Sequence, residues 1–359
     1  MTSSVTSTRT ARCALLLASL ALAALPALRA TTSTATLTVD AAAAETARNM
    51  KALAREMNTY ISTTQADNKT EGLMRALSNN NHNQVRFFTN LSKIYPTSSS
   101  TGDFDYSNGS GQLTNYQRLD LAGAWGGQIY MCLDGTPTWS STDGTSSGAP
   151  TDYALYETQL RDALVNYKTR YANLVNIEAR NENGFTASVY YGIFQRFQNA
   201  VNYVNANVSN GAPLKLVVMP KSSFDLNWIK GVIDQYAADT NAAKMLDGIA
   251  WHDYRFGELK EKIQGVETQA SQIRSYLTTK GLPSTIPLFC SEYGPFPTSD
   301  GTSSLSRDQV TQASAAAMFG YYFYKGDDNV FPLYWVTIHS NNAAKNVIGA
   351  STAGVFYPA

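Results

Sequence analysis

Leu174-Val175-Asn176-Ile177-Glu178-Ala179-Arg180-Asn181-Glu182-Asn183-Gly184 is an apolar run that closes on a carboxylate and a glycine. Ile286-Pro287-Leu288-Phe289-Cys290-Ser291-Glu292-Tyr293-Gly294-Pro295 repeats the pattern more than a hundred residues later. Each reads as a short buried strand that ends in a glutamate and then turns at Gly or Pro. Runs with no polar alternation suit strands covered on both faces, as in a parallel sheet.

Working outward from these two runs, strands and helices alternate. A strand near Thr59-Ile61 precedes a helix over Glu71 to Asn79, and Gln84-Val85-Arg86-Phe87-Phe88 is the second strand. A helix over Leu113 to Ala122 leads to the third, Gln128-Ile129-Tyr130-Met131-Cys132-Leu133, and a helix from Tyr153 to Tyr171 leads to the Glu182 strand. A helix over Val189 to Val204 comes next, then the strand Leu214 to Met219, rich in β-branched and apolar residues. A helix over Leu226 to Tyr236, a strand Asp247 to His252 and a long helix Glu258 to Thr279 precede the Glu292 strand. A helix over Gln309 to Tyr324 and a strand Val330 to Val336 complete the series.

Eight strands joined by helical crossovers predict an α/β chain built as a (β/α)8 TIM barrel. An open doubly wound sheet is the structural rival, but no strand is followed by a glycine-rich phosphate turn. The last helix is expected to be incomplete or divergent, because only Ser340 to Ala359 follow the eighth strand.

The ends and the composition bound the rest. Arg9 and Arg12, the apolar stretch Cys13 to Leu25 and the small-residue exit at Ala30 predict a signal peptide over 1–30. A segment 31–56 then precedes a catalytic barrel over 57–359. Cleavage would remove Arg9, Arg12 and Arg29, leaving 25 basic against 28 acidic residues, a balance of −3. A near-neutral chain without a dense Lys/Arg cluster argues against nucleic acid. No segment past the leader suits a membrane span, so an extracellular or periplasmic product is expected. Cys132 and Cys290 lie in apolar runs and read as buried thiols rather than a disulfide. The three histidines are isolated and no Cys pair exists, so no metal and no cofactor are expected. Oligomeric state is not legible.

A carboxylate at a strand exit points into a cleft while the strand holds it rigid. In a barrel of this order Glu182 and Glu292 reach one rim, from strands four and seven. Two such groups suit acid/base or nucleophile work on a glycosidic bond; the plain alternative is two surface glutamates. Other polar and aromatic residues at strand ends share that rim: Arg86, Asp134, His252, Tyr254, Trp335 and His339.

These residues resemble the clan A glycoside hydrolases, and among them most closely family 39, the β-xylosidase-like family. The resemblance runs from about Gln84 to Thr337. Asn181-Glu182 matches the clan's Asn-Glu pair, and Ser291-Glu292-Tyr293-Gly294 its strand-seven nucleophile. His252-Asp253-Tyr254 is similar to a strand-six His-x-Tyr, Tyr334-Trp335 to the strand-eight Trp, and Leu133-Asp134-Gly135-Thr136-Pro137-Thr138-Trp139 to a strand-three exit. Asn183 stands where the clan usually carries Pro, and Ala179-Arg180 replaces an aromatic residue upstream.

The resemblance implies a retaining glycosidase with Glu182 as acid/base and Glu292 as nucleophile, acting on a carbohydrate. Asn181 would hold the sugar's 2-hydroxyl, Arg86 and Tyr254 would keep Glu292 ionised, and Trp335 would form a sugar platform. Asp134 and His252 would contact hydroxyls. Structural readings stand beside these: an ion pair for Arg86, core packing for Tyr254 and Trp335, a turn for Asp134. The rival for the whole chain is a non-catalytic carbohydrate-binding barrel or surface protein.

Overall fold

The computed structural model describes residues 56–58, 84–110, 112–124, 128–255, 265–295, 330–335, 348–350 and 356–358. The expected leader, the helices over Glu71 to Asn79 and Gln309 to Tyr324, and His339 lie outside them.

Eight parallel strands close into a barrel in which each pairs with its sequence neighbour and the eighth returns to the first. They are β1 (Glu56–Asn58), β2 (Gln84–Asn90), β3 (Gln128–Asp134), β4 (Leu174–Ala179), β5 (Lys215–Val218), β6 (Gly248–Arg255), β7 (Leu288–Pro295) and β8 (Val330–Trp335). The helices between them are α1 (Leu91–Ile94), α2 (Asn115–Ala124), α3 (Tyr153–Arg170), α4 (Ala187–Asn207), α5 (Leu226–Ala238) and α6 (Val266–Thr279). Two short strands near the C-terminus, β9 (Ile348–Ala350) and β10 (Phe356–Pro358), form a separate antiparallel pair. Among the described residues no helix is long and apolar enough to cross a membrane.

The expected alternation and element types hold wherever the structure describes them, with shifted ends. β1 is described at Glu56–Asn58, just before the expected Thr59-Ile61, which lies outside the described residues. Propensity points to Tyr60-Ile61, but pairing decides: Met57 sits opposite Val85 of β2 and Tyr334 of β8. Four helices begin at side-chain caps that satisfy their first N–H groups. Asn90 accepts from Ser92, Asp152 from Ala154 and Leu155, Thr186 from Val189, and Asp225 from Trp228.

The strands are buried on both faces, which explains their unbroken apolar character. Outward residues such as Leu133, Ile177, Leu216, Val218 and Trp251 pack against the helices in the main core. Inward residues Tyr130, Val217, Ala250 and Phe289 form a second cluster, with Phe331 against it. Phe289 stacks on Phe331 at 5.0 Å and meets Tyr130 at 5.4 Å between ring centroids. This apolar plug fills the barrel interior, as side-chain layers do in barrels of this kind.

Register decides which glutamates face the interior. Along β6 and β7 Ala250 pairs with Phe289 and Trp251 with Cys290, but His252 then pairs with Glu292, so Ser291 is an extra residue. The β7–β8 ladder slips in the same place, between Cys290 and Tyr293. Strict alternation would turn Glu292 outward with Cys290. A bulge re-aims the side chain, and Glu292 joins His252 on the inner face.

Candidate active site

Arg86 rises from β2 into the barrel and is fully buried. Its Nη1 donates to Glu292 Oε1 at 2.5 Å, its Nε to Glu178 Oε1 at 3.2 Å and its Nη2 to Asn181 Oδ1 at 3.0 Å. Nη2 also donates to Glu178 Oε1. One guanidinium thus joins two buried carboxylates and the asparagine beside Glu182. Burying such charges carries a desolvation penalty, which is offset only where geometry and hydrogen bonding are good. Here every guanidinium nitrogen has an acceptor.

Glu178 is inward-facing in β4 and wholly buried. Its second oxygen accepts from the Tyr130 hydroxyl at 2.5 Å. The Tyr130 ring belongs to the apolar plug while its hydroxyl serves the charged layer above. Burial acts to lower the pKa of Arg86, but the charges of Glu178 and Glu292 outweigh it, and the group sits well above its ordinary value. Burial, reinforced by the Glu178 charge, pushes Tyr130 and Cys132 well up. Both therefore stay neutral, and Tyr130 keeps the proton it donates.

Glu182 does not close β4. The strand ends at Ala179, and the chain bends through left-handed conformations at Arg180 (φ 73°) and Glu182 (φ 35°). Such conformations are uncommon outside glycine and persist where the surroundings enforce them. Arg180, buried, supplies that enforcement. Its Nη1 donates to Thr136 Oγ1 at 3.0 Å and its Nη2 to the carbonyls of Ser146 and Ser147 at 3.3 and 3.1 Å. Asp134 accepts from the Asn181 backbone at 3.1 Å and lies 3.7 Å from Arg180 Nε. Asn183 is buried and reaches the Pro220 carbonyl at 3.5 Å. The residues that depart from the clan pattern are those that shape this bend.

His252 on β6 is buried between the two glutamates. Its Nδ1 is 2.9 Å from Glu182 Oε1 and 3.6 Å from Glu292 Oε2. The residues flanking it are clamped from outside, where Gln269 of α6 accepts from Trp251 Nε1 at 2.9 Å and donates to Asp253 at 2.5 Å. The glutamates differ in surroundings: the Glu182 side chain is 39% exposed and that of Glu292 only 5%. One ligand-type atom from each of Glu182, His252 and Glu292 falls within 4.8 Å of the others. This is the three-residue set that could hold a cation, although Arg86 and the imidazole already engage these carboxylates.

The structure therefore brings Arg86, Asn181, Glu182, His252 and Glu292 together. Asp134 stands at the edge as an anchor for the Asn181 backbone. Tyr254 and Trp335 enter by strand position alone, opposite Gly294 of β7 and Asn58 of β1. Glu178, Tyr130 and Arg180 belong to the site but escaped sequence reasoning. A glutamate inside an apolar run was the available signal for Glu178, since acidic residues are almost never fully buried unless paired.

No protein-family model and no curated protein matches this chain. Solved structures do. A glycoside hydrolase family 5 enzyme from Prevotella bryantii B14 superposes with a TM-score of 0.54 at 17% identity, over 82% of this chain and 92% of that one. A family 5 xyloglucanase from Paenibacillus pabuli gives 0.53 at 13% identity, over 82% and 93%. A family 39 glycoside hydrolase from Bacteroides cellulosilyticus WH2 gives 0.55 at 13% identity, over 82% of this chain and 60% of that one. The barrel is the fold that these glycoside hydrolases share.

Proposed function

We propose that the chain is an exported retaining glycoside hydrolase that cleaves β-linked polysaccharides or their oligomers, with Glu292 as nucleophile and Glu182 as acid/base. The observation that carries this reading is the pair of carboxylates, with oxygens within 4.8 Å of one another. Retaining enzymes hold their carboxyl groups about 5–5.5 Å apart, whereas inverting ones leave about 6.5–9.5 Å for an intervening water.

The asymmetry of the pair supports the assignment of roles. Arg86 fixes one oxygen of Glu292 and sets a positive charge against the buried carboxylate, which aims the group for attack on the anomeric carbon. Glu182 is open to solvent and borders His252, a position from which it can exchange protons with the medium. In the first half-reaction Glu292 forms the glycosyl ester as the C–O bond to the leaving group breaks and Glu182 protonates the departing oxygen. In the second, Glu182 takes a proton from water as that water displaces Glu292, and configuration is retained. Asn181 turns its carbonyl to Arg86, which leaves its amide NH2 for a sugar hydroxyl.

The neighbours include a xyloglucanase and an endoglucanase, so β-glucans and xyloglucan are the first substrates to assay. The leader over 1–30 is the ground for export. Incubation with aryl β-glycosides and β-glucan oligomers, with the product anomer followed by NMR, tests the reading. Release of β-product supports it. An α-product refutes retention, and no hydrolysis across the panel favours a carbohydrate-binding barrel.

A further inference from the structure

Each glutamate of the proposed pair has a buried arginine behind it, and the two arginines work differently. Arg86 bonds Glu292 directly. Arg180 acts on the segment that carries Glu182, and its side chain spans that segment. The guanidinium lies 5.4 Å from the ring centroid of Phe185, on the far side of the Glu182 turn. One group therefore touches both ends of the stretch from Arg180 to Phe185.

The same guanidinium ties this stretch to the loop between β3 and α3, through Thr136, Ser146 and Ser147. That loop is a firm anchor because its own bonds close it. The Thr136 N–H donates to the Ser146 carbonyl at 2.9 Å and its hydroxyl to the Gly148 carbonyl at 2.8 Å, while the Thr142 N–H donates to Ala149 at 2.8 Å. Beyond the turn, the Phe185 carbonyl accepts from Trp228 Nε1 of α5 at 2.8 Å.

Stability alone is a poor reason for this arginine. It is buried, and burying a guanidinium carries a desolvation penalty that an apolar side chain of similar size avoids. What the guanidinium adds is direction, since its planar fork presents donors at fixed angles. Glu182 sits between the anchors at φ 35°, a conformation that persists only where its surroundings enforce it. General acid catalysis needs such enforcement, because the carboxyl must come within about 2.6–3.2 Å of the departing oxygen.

Resting on the glycosidase reading above, we infer that Arg180 is a positioning residue for the acid/base: by bracing the Arg180-to-Phe185 turn against the β3–α3 loop, it aims Glu182 at the glycosidic oxygen. The test is Arg180→Met in the full chain, assayed on aryl β-glycosides of graded leaving-group acidity and on unactivated oligomers. With poor leaving groups kcat/KM should fall about 10²-fold, the cost of roughly 1 Å of misplacement. With dinitrophenyl glycosides, which depart without an acid, kcat/KM should fall less than about threefold, while kcat drops further and a burst appears, because Glu182 must still deprotonate water. Equal losses across the series would assign Arg180 to folding alone and overturn the inference, as would rates that match the parent's. If thermal melts show Arg180→Met unfolded, Thr136→Val carries the test. It removes the Nη1 acceptor and keeps the loop's backbone bonds, and the same selective loss is expected at about threefold; a uniform loss or none would again overturn the inference. A parent inactive on every glycoside would sink the glycosidase reading and this inference with it, whereas an active parent with uniform losses in the variants sinks the inference alone.

Discussion

Arg86 and Glu292 are bonded at 2.5 Å although 206 residues separate them in sequence. The bond crosses the barrel interior from β2 to β7, so the proposed nucleophile is held by the same closure that makes the fold. Stability and catalysis therefore share one residue.

Replacing Arg86 with Met should damage both. Glu178 and Glu292 would face each other without a counter-charge, and breaking a buried pair by removing one partner costs about 3–5 kcal/mol. Thermal melts of both proteins at neutral pH check this, and a variant that melts with the parent would contradict the arrangement.

Glu178→Gln should separate positioning from folding. The amide keeps the shape and loses a negative charge that competes with Glu292 for Arg86. The expected result is a lower kcat with the thermal melt little changed, since Arg86 is then aimed by Glu292 and Asn181 alone. A normal kcat would assign Glu178 to structure alone.

The two glutamates should respond differently to the leaving group. Glu182→Ala is expected to lose about 10²–10⁴ in rate on poor leaving groups, and much less on activated aryl glycosides, where a burst should appear. Glu292→Ala should be inactive on both. Added azide should give an α-glycosyl azide with Glu292→Ala and a β-glycosyl azide with Glu182→Ala. Swapped products would reverse the roles.

Transition metals provide a fourth probe. Glu182, His252 and Glu292 form a donor set that suits Zn²⁺. Because Arg86 and His252 already occupy these carboxylates, chelator treatment should leave hydrolysis unchanged, while added Zn²⁺ should inhibit in competition with substrate. His252→Asn should weaken that inhibition. Activity lost on chelation and restored by metal would show a different chemistry.

Much of the fold was legible because strands covered on both faces need apolar runs, and those of β3, β5 and β8 stand out in the chain. β1 was bounded only loosely because a three-residue strand carries too little pattern to fix its ends. Arg86, Asn181, Glu182, His252 and Glu292 were singled out because polar groups in or at the end of an apolar run are conspicuous. Glu178 lay inside such a run and was passed over as strand. Its role depends on inward parity shared with Arg86 and Tyr130, and parity is unreadable until the bulges are known. Arg180 registered only as a departure, since its partners Thr136, Ser146 and Ser147 come from a loop whose shape the sequence does not announce.

The extra residue at Ser291 makes the bulge, rather than side-chain chemistry, what sets the phase of β7. Any small residue at that position preserves the phase of the strand, and substitution there should be mild. Straightening the bulge with Ser291 still present would turn Glu292 toward the helices, whereas deleting Ser291 would leave Cys290 and Glu292 adjacent, opposite Trp251 and His252, with Glu292 still facing inward. Loops around the rim can lengthen or shorten without such an effect. Lineages of this barrel would then vary freely in their loops, while β7 would carry either the bulge with its extra residue or a regular strand one residue shorter, a coupling of length and pairing that comparison of residue types alone would overlook.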